Sequence, residues 1–322
     1  MEPPSRFPRT ARHKPALATF AALAAAWAFV PVILGAFTTS IGAGMAFPDW
    51  PLSNGSLNPS GWLTNLAMFA EHSHRLSVGV LTSLTIALAV WLWRTEARAW
   101  LRKLALFAVV LVLTQAVVGG LRVLLEHRQI AMIDTSMGRL FAMLHACLAQ
   151  LFVCTMIAIA AACSRAWIER PGPVAAGARR IGRLCCALVF LKLAIGAVMR
   201  HSFAGLAIPT FPWSTPAGGL LPDAWNFRVG INFAHRTMAA ILTVALLGFA
   251  LKLWFSRTVP LALRTGASAL VSLLALQIFL GAQVIWTGRN PEITTAHVVV
   301  GALTLATTFW LTWMAHRDAI ES

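Results

Sequence analysis

The sequence predicts an all-α membrane protein whose eight transmembrane helices form two parallel four-helix bundles related by a pseudo-twofold axis. The composition is the first observation, because 58% of the 322 residues are hydrophobic, only 11% are charged, and the mean hydropathy is +0.72. Soluble domains carry about 25% charged residues. The second observation is that the apolar residues fall into eight long runs, and the third is that key positions recur 161 residues later.

Each apolar run is long enough to cross about 30 Å of hydrocarbon as a helix. No alternating pattern of the strand type competes with this interpretation, and the runs are too long for the strands of a membrane barrel. The first run is longer than the core of a typical signal peptide, so we interpret it as a retained helix. The eight runs lie at 17–37, 64–93, 103–124, 138–163, 181–200, 227–255, 264–287 and 293–315.

Basic residues mark one side of the membrane. They collect in the N-terminal tail, in 94–103, in 165–183, in 257–264 and at Arg317, whereas the loop at 38–63 on the other side contains neither Lys nor Arg. Because cytoplasmic loops carry the excess of Lys and Arg, both termini are expected in the cytoplasm. The net charge of +15 is then a topology signal rather than a sign of nucleic-acid binding. The short basic tail, without a long Ser- and Arg-rich presequence, favours a bacterial inner membrane over a mitochondrial one.

The chain is interpreted as an internal duplication. Each copy holds an even number of spans, so the copies have the same orientation and an axis along the membrane normal relates them. We place the N-terminal bundle at residues 1–163, a cytosolic linker at 164–180 and the C-terminal bundle at 181–322. The paired positions are Gly35 with Gly196, Pro48 with Pro209, Pro51 with Pro212, His74-Arg75 with His235-Arg236, Gln115 with Gln277, Gly119 with Gly281, and His145 with His297.

Four histidines lie at similar depth, about 6–15 Å below the external ends of their helices. In each predicted bundle they come from the second and fourth helices, which run parallel and pair His74 with His145 and His235 with His297. Ionisable groups inside a membrane are expensive and are therefore candidate functional groups. Two opposed imidazoles in a four-helix core suit axial ligation of a haem, whereas zinc prefers three or four ligands. We predict one porphyrin site per bundle; a hydrogen-bonded core role is the alternative for any single histidine.

One position distinguishes the two halves. Glu71 is one helical turn before His74 on the same face, whereas the second copy has Asn232 at this position. A carboxyl group beside a metal can move protons or stabilise developing positive charge. We therefore interpret the N-terminal bundle as the catalytic half and the C-terminal bundle as the cofactor half. The alternative for Glu71 is an ion pair with a neighbouring arginine.

Arg75 and Arg236 directly follow the histidines of the second helices. An arginine at this depth needs an anionic partner, and a haem propionate is a candidate because a guanidinium matches a carboxylate with two hydrogen bonds. A structural salt bridge or a position at the membrane interface is the alternative. The loops that contain Pro48-Asp49-Trp50-Pro51 and 209–213 are expected to form lids over the external faces, a plain connecting turn being the alternative.

Taken together, these residues resemble the haem A synthase family over about residues 20–315. The resemblance implies oxidation of the C8 methyl group of haem O to a formyl group, giving haem A for terminal oxidases. It also implies that His74 and His145 flank the substrate haem O near Glu71, and that His235 and His297 ligate a haem b cofactor. The motifs that carry it are Glu71-x-x-His74-Arg75, Pro48-Asp49-Trp50-Pro51, Gln115-x-x-x-Gly119-Gly120, His145, His235-Arg236, Gln277-x-x-x-Gly281 and Thr294-x-x-His297.

The chain departs from some members of that family in its cysteines. Those members carry a Cys pair in the first external loop, whereas all five cysteines of this chain lie in or at the ends of apolar segments, which leaves open how the loops are held. The resemblance also implies a lipid membrane and an external electron donor that the sequence does not name. Delivery of haem O by a haem O synthase and a homo-oligomeric state are candidate partnerships, and no nucleic acid is expected.

Two other classes of function stay open on the residues alone. A dihaem b-type electron-transfer protein would use the same four histidines. Such a protein needs no carboxylate in only one half, and electron transfer across the membrane would stack its haems on opposite sides. A transporter built from parallel repeats would need broken helices near the midplane, and the obvious interruption is Pro31 in the first span.

Overall fold

A computed structural model of the chain describes residues 12–130, 135–169, 176–256 and 259–321. Three sequence features discussed above lie outside these residues. They are the basic positions before residue 12, the Pro171-Gly172-Pro173 part of the predicted linker, and Arg257.

Helices dominate the described residues, and eight of their helical stretches are long and apolar enough to cross a membrane. The predicted fold class of an all-α membrane protein with eight spans is therefore confirmed. A two-stranded antiparallel ribbon, β1 (Gln129–Ile130) with β2 (Thr135–Ser136), connects the third and fourth spans. In chain order the helices are α1 (Pro15–Trp27), α2 (Phe29–Ser40), α3 (Leu66–Thr95), α4 (Ala99–Leu124), α5 (Met137–Cys163), α6 (Arg165–Glu169), α7 (Ala176–His201), α8 (Phe227–Trp254), α9 (Leu261–Trp286), α10 (Pro291–Ala315) and α11 (Arg317–Glu321).

The first span is interrupted between α1 and α2, at Ala28. Pro31 explains the position of the break, because a proline lacks an N–H and its ring clashes with the carbonyl four residues earlier, here that of Trp27. The two pieces still form one stretch from Pro15 to Ser40 that is long enough to span the membrane. The helix that follows the linker begins at Ala176, so the C-terminal part of the predicted 164–180 linker is helical.

Side-chain caps begin the four helices that carry the paired histidines. The side-chain oxygens of Asn65, Ser136, Asn226 and Asn290 accept hydrogen bonds from the third residue of α3, α5, α8 and α10 respectively. Asn and Ser are preferred at this position because they satisfy an amide that has no partner within the helix. The caps fix where each helix starts, and the paired histidines lie about two turns further along.

The packing is consistent with two related four-helix units. The first unit contains α1 with α2, then α3, α4 and α5, and the second contains α7, α8, α9 and α10. The units meet where α2 packs on α10, α7 packs on α5, and α5 packs on α10. The first two contacts are equivalent, because each joins the first span of one unit to the fourth span of the other. The residue limits of the two bundles stay a prediction.

The seam between the units is closed by shared core residues and hydrogen bonds. Ala306 of α10 belongs to the apolar cluster of the first unit, and Cys154 of α5 belongs to that of the second. Arg200 of α7 donates to the carbonyl oxygen of Ala36 and to Ser40 Oγ, at 2.7 and 2.8 Å. Thr295 of α10 donates to the same Ser40 Oγ at 3.0 Å. The fourth span of each unit is therefore partly covered by the other unit.

Candidate functional site

The four histidines form two opposed pairs, each inside one unit. The ring centroids of His74 and His145 are 6.5 Å apart, and those of His235 and His297 are 6.4 Å apart. Two metal–imidazole bonds of about 2 Å each, in line through one iron, place the ring centroids about 6.3 Å apart. The spacing of both pairs therefore fits axial ligation of a haem iron.

Each imidazole rests on a glycine of the neighbouring helix. A Cβ atom added to Gly35 or Gly119 would lie 2.9 Å from Cε1 of His74 or His145, respectively. The same construction at Gly196 and Gly281 gives 3.2 Å to Cε1 of His235 and His297. These glycines are the repeat-related pairs found in the sequence, and their role is close approach of ring and backbone.

The imidazoles of the first unit are oriented by backbone carbonyls. Nδ1 of His74 lies 3.0 Å from the carbonyl oxygen of Pro31, and Nδ1 of His145 lies 3.1 Å from that of Gln115. A carbonyl oxygen can only accept, so both rings carry their proton on Nδ1 and present an unprotonated Nε2. A second hydrogen bond, from Gln115 Nε2 to the carbonyl oxygen of His145, joins the two helices. This arrangement is typical of histidines that ligate metals through Nε2.

The second unit has the same rings with different partners. Lys192 Nζ lies 2.9 Å from Nε2 of His235, and Gln277 Nε2 lies 3.2 Å from Nε2 of His297. Nδ1 of His235 is buried without a hydrogen-bond partner among the described residues. Lys192 and Gln277 occupy the positions that Pro31 and Gln115 occupy in the first unit.

Glu71 is buried beside the first pair and is held at both oxygens. Its Oε1 accepts from Arg75 at 2.5 Å and its Oε2 accepts from the amide of Phe47 at 3.2 Å. The ion pair that the sequence left as the alternative for Glu71 is thus present, and it does not remove the carboxylate from the neighbourhood of His74.

Asn232 fills the equivalent position in the second unit without any charge. It is as deeply buried as Glu71, and its Nδ2 donates to the carbonyl oxygens of Ala204 and Gly205 at 2.8 and 3.1 Å. Both residues therefore hold the loop that precedes their own helix. The glutamate accepts from the loop, the asparagine donates to it, and only the glutamate can take up a proton.

Arg75 and Arg236 anchor the two external loops in matching ways. Arg75 donates to the carbonyl oxygens of Phe47 and Leu52, and Arg236 donates to those of Ile208 and Trp213. The four acceptors are related by the same offset of 161 residues as the arginines. The predicted contact of these guanidiniums with haem propionates stays a prediction.

The loop over the first unit is ordered by further contacts. Phe47 is fully buried, and the ring of Trp50 occupies the space that a Cβ atom on Gly120 would need. Asp49 accepts hydrogen bonds from the amides of Asn54 and Gly55, both at 2.8 Å. Burial alone would raise the pKa of Asp49, but these hydrogen bonds and the charge of Arg75 lower it below the ordinary value. These contacts answer how a loop without cysteines is held.

Sequence reasoning did not single out two cationic residues of the site. Arg122 lies on α4, where a Cβ atom on Gly44 would collide with its guanidinium, and its charge acts on Glu71, His74 and His145. Lys192 is the other. The available signal was the same for both, namely a basic side chain inside an apolar run and close to a motif glycine.

His72 and a nearby groove lie outside the paired imidazoles. The ring nitrogens of His72 contact Ser53 Oγ at 2.9 Å and the carbonyl oxygen of Leu57 at 3.1 Å, so this histidine helps to hold the loop before α3. A groove of about 600 Å³ opens beside it along the outer face of α3, between Phe20, Leu76 and Val80. The groove borders Arg75 and is lined by neither His74 nor His145.

The residues present fit a haem better than a bare metal ion. The described part of the chain contains no group of three or more His, Cys, Asp or Glu side chains that could hold a metal ion, and zinc sites use three or four such ligands. Two facing imidazoles per unit are the donor set of a haem with two axial histidines, and in the first unit the hydrogen bonds at Nδ1 leave both Nε2 atoms available.

Comparison with known proteins decides the family. Residues 63–309 match the family described as cytochrome oxidase assembly protein, COX15-CtaA. The chain belongs to this family. The match covers more than half of the chain and includes both imidazole pairs, Glu71 and both arginines of the loops.

Bacterial relatives named "Heme A synthase" align with between two thirds and nine tenths of the chain. A protein of Alkalihalophilus pseudofirmus named "Heme A synthase" is 25% identical over 301 residues, which are 90% of this chain and 94% of that protein. Another of the same name from Listeria welshimeri is 26% identical over 294 residues, 90% of this chain and 92% of that protein. A third, from Bacillus pumilus, is 26% identical over 220 residues and covers 67% of each chain.

Proposed function

We propose that this protein is a haem A synthase, which oxidises the C8 methyl group of haem O to a formyl group. The family match and the relatives named "Heme A synthase" support the reaction. The observation that carries the assignment of roles is that two opposed imidazole pairs lie at one depth while only one has a buried carboxylate beside it. An enzyme with one reacting haem and one redox haem needs this asymmetry.

The reaction sets the demands on the protein. Converting a methyl group and one water molecule to a formyl group releases four electrons and four protons. The site must therefore hold the macrocycle in one orientation and provide a group that accepts protons. The four electrons pass to an oxidant that is external to the described residues, and an external electron donor is required only where that oxidant is first activated by reduction.

We assign the substrate haem O to His74 and His145. Their Nδ1 hydrogen bonds to Pro31 and Gln115 fix the rings so that both Nε2 atoms are available to the substrate iron. Glu71, whose carboxyl oxygens accept hydrogen bonds from Arg75 and from the amide of Phe47, is suited to accept protons or to stabilise a cation that develops on the substrate. The external loop shields this region from bulk water, which strengthens the electrostatic effect of the carboxylate.

We assign a haem b cofactor to His235 and His297. A haem bound there would supply one-electron redox chemistry. The protein's part is to hold the two rings against Gly196 and Gly281 and to keep ionisable carboxylates away, as Asn232 does at the position of Glu71. A dihaem electron-transfer protein is the less favoured alternative, because it gives no reason for a carboxylate in one half alone.

The setting of the reaction is an integral, multi-pass membrane protein, and the bacterial relatives favour a bacterial membrane. We further propose that both termini are cytoplasmic, which places the loops of both units and the imidazole pairs near the external face. An external electron donor, a haem O synthase that delivers the substrate, and a homo-oligomer are the partners that remain to be tested.

Replacing Glu71 by Gln tests the catalytic assignment. The amide keeps the shape and can still accept from Arg75, but it cannot take up a proton, so we expect haem A formation to fall by about 10²-fold or more. The assay is extraction of haems from membranes that supply haem O, followed by separation and mass analysis. The haem spectrum of the purified variant should match that of the parent.

Glu169→Gln is the matched control, because Glu169 is an exposed carboxylate that pairs with Arg165 at 2.5 Å, beyond the end of α5 that lies away from His145. It should retain haem A formation. Full activity of Glu71→Gln would contradict the proton-accepting role, and a purified protein that contains only haem b and never haem O or haem A would favour the electron carrier.

A further inference from the structure

Lys192 is a buried cation inside the second unit. Its side chain is 9% exposed, and it lies on α7 one helical turn before Gly196, the glycine on which His235 rests. A lysine within a membrane span is expensive unless it has a partner or a task. The charge of Lys192 acts on both His235 and His297, which places it at the site of the second imidazole pair.

No carboxylate pairs with Lys192 in the parts of the chain that the structure describes. The position where an acid would be expected from the first unit is filled by Asn232, whose amide is used by the loop carbonyls of Ala204 and Gly205. The contact that Lys192 does make is with Nε2 of His235, at 2.9 Å. An ammonium can only donate, so this contact uses the lone pair of Nε2.

The same lone pair is the one that an axial ligand needs. In the first unit the residue at this position is Pro31, and its carbonyl oxygen accepts from Nδ1 of His74, which leaves Nε2 available. In the second unit Lys192 engages Nε2 of His235 and leaves Nδ1 without a partner among the described residues. One nitrogen cannot donate its lone pair to iron and accept a hydrogen bond from Lys192 at the same time.

We propose that Lys192 competes with a haem iron for Nε2 of His235. The proposal rests on the haem site proposed above. It makes the two units unequal in how they load, because haem binds to prepared Nε2 atoms in the first unit and has to compete with Lys192 in the second. Lys192 thus lowers the haem affinity of the second pair and slows its loading.

The test is an equilibrium and stopped-flow titration of the purified, haem-depleted full-length protein with iron protoporphyrin IX. His74→Ala and His145→Ala are present throughout, so that the second pair alone can bind. Lys192→Leu removes the donor and should lower Kd about tenfold and raise the association rate, since a hydrogen bond to a charged group no longer has to be broken. Lys192→Gln, a second variant that keeps a polar side chain, should shift Kd in the same direction.

Two further variants make the comparison specific. Lys192→Arg keeps a cationic donor at the site and should stay close to the parent in Kd. Lys252→Leu removes an exposed lysine from the far end of α8, where it lies beside Gly177, and should change neither Kd nor rate.

An unchanged or higher Kd for both Lys192→Leu and Lys192→Gln would overturn the proposal. A higher Kd together with an altered low-spin absorption spectrum would also overturn it, since Lys192 would then hold the haem rather than compete with it. His235→Ala separates this proposal from the haem site itself. If that variant binds haem as well as the parent does, the second pair is not a haem site and the failure belongs to the proposed function.

Discussion

Four glycines decide how closely the imidazoles can approach the neighbouring helices. A Cβ atom at Gly35 or Gly119 would lie 2.9 Å from the nearest histidine ring atom. At Gly196 and Gly281 the same distance would be 3.2 Å. Metal ligation tolerates displacements of only about 0.2 Å. The ring positions are therefore set by the glycines as much as by the histidines.

Gly119→Ala should push the ring of His145 out of position and reduce the haem that the first pair retains by at least about tenfold, because a 2.9 Å contact cannot be kept. Gly281→Ala should have a smaller effect, since its contact of 3.2 Å needs a smaller shift. Haem content per protein and the absorption spectrum after purification measure both effects.

Gly248→Ala is the control for this series, since a Cβ atom there has nothing within 4 Å. It should keep its haem and should stabilise α8 by about 0.5–1 kcal/mol, the usual gain of alanine over glycine in a helix. Equal haem loss in all three variants would show that helix packing in general, rather than ring position, is being measured.

At the residue scale, sequence pattern predicted the identities of the four histidines and of Glu71, because repetition and charge inside apolar runs are visible in one dimension. It did not predict Arg122 or Lys192 as neighbours of the site. Neither residue recurs at the matching position of the other half, where Val284 and Pro31 stand. A search based on the repeat therefore could not select them, and only their contacts in the folded structure identify them as neighbours of the site.

The external loops behave as elements that the second helix of each unit holds in place. Arg75 and Arg236 reach back to carbonyl oxygens that lie at matching positions of the two loops. A guanidinium suits this task because its planar fork donates several hydrogen bonds at once. The loops that the sequence predicts to be lids are thus held in place by hydrogen bonds from these two arginines.

Arg236→Lys should loosen the second loop, at residues 202–226, because a lysine cannot serve both carbonyl oxygens with a rigid fork. The loss of about 1–3 kcal/mol of hydrogen bonding should increase cleavage of this loop severalfold in limited proteolysis of the purified protein, mapped by mass spectrometry. The exposed Arg228, at the start of α8, provides the control Arg228→Lys, which should leave the cleavage pattern unchanged.

The same variant separates two roles of Arg236. If the guanidinium also holds a haem propionate, haem retention should fall together with loop protection. If haem retention falls while the loop stays protected, the loop contacts are of minor energetic importance and the propionate role predicted from sequence is the main one.

At the element scale, the spans were predictable because hydrocarbon thickness imposes a minimum apolar length. The start of α7 at Ala176 and the division of the first span at Ala28 were less accessible. The start of α7 was hard to predict because the residues that extend this helix towards the linker are basic and only weakly apolar. The break at Ala28 was hard to predict because it depends on the steric clash between the ring of Pro31 and the carbonyl group of Trp27. The loop folds were not predictable, because irregular backbone depends on tertiary contacts.

At the scale of the whole molecule, the proposed function gives the two related units different tasks. The first unit binds the substrate haem and the second unit binds the haem b cofactor. His235→Ala should remove the haem b spectrum of the purified protein, and His74→Ala should leave that spectrum intact while haem A formation falls. The reason is that, in the proposed assignment, each pair contributes both axial ligands of one haem. Reduced-minus-oxidised difference spectra and haem extraction from the same preparations measure the two outcomes.

His72→Ala serves as the control for these variants, since its ring contacts Ser53 and Leu57 rather than another histidine. It should retain haem b. Loss of haem b in His74→Ala with retention in His235→Ala would mean that the two halves are assigned in the wrong order, although the pairing within each half would stand.

The exchange of core residues across the seam bears on how the protein is made. Ala306 of the last span completes the apolar cluster of the first unit, so that unit cannot reach its final packing when its own four spans have left the ribosome. Membrane insertion of α10 then becomes the step that closes both halves together. In the proposed assignment, binding of the substrate haem by the first half would then follow the insertion of α10.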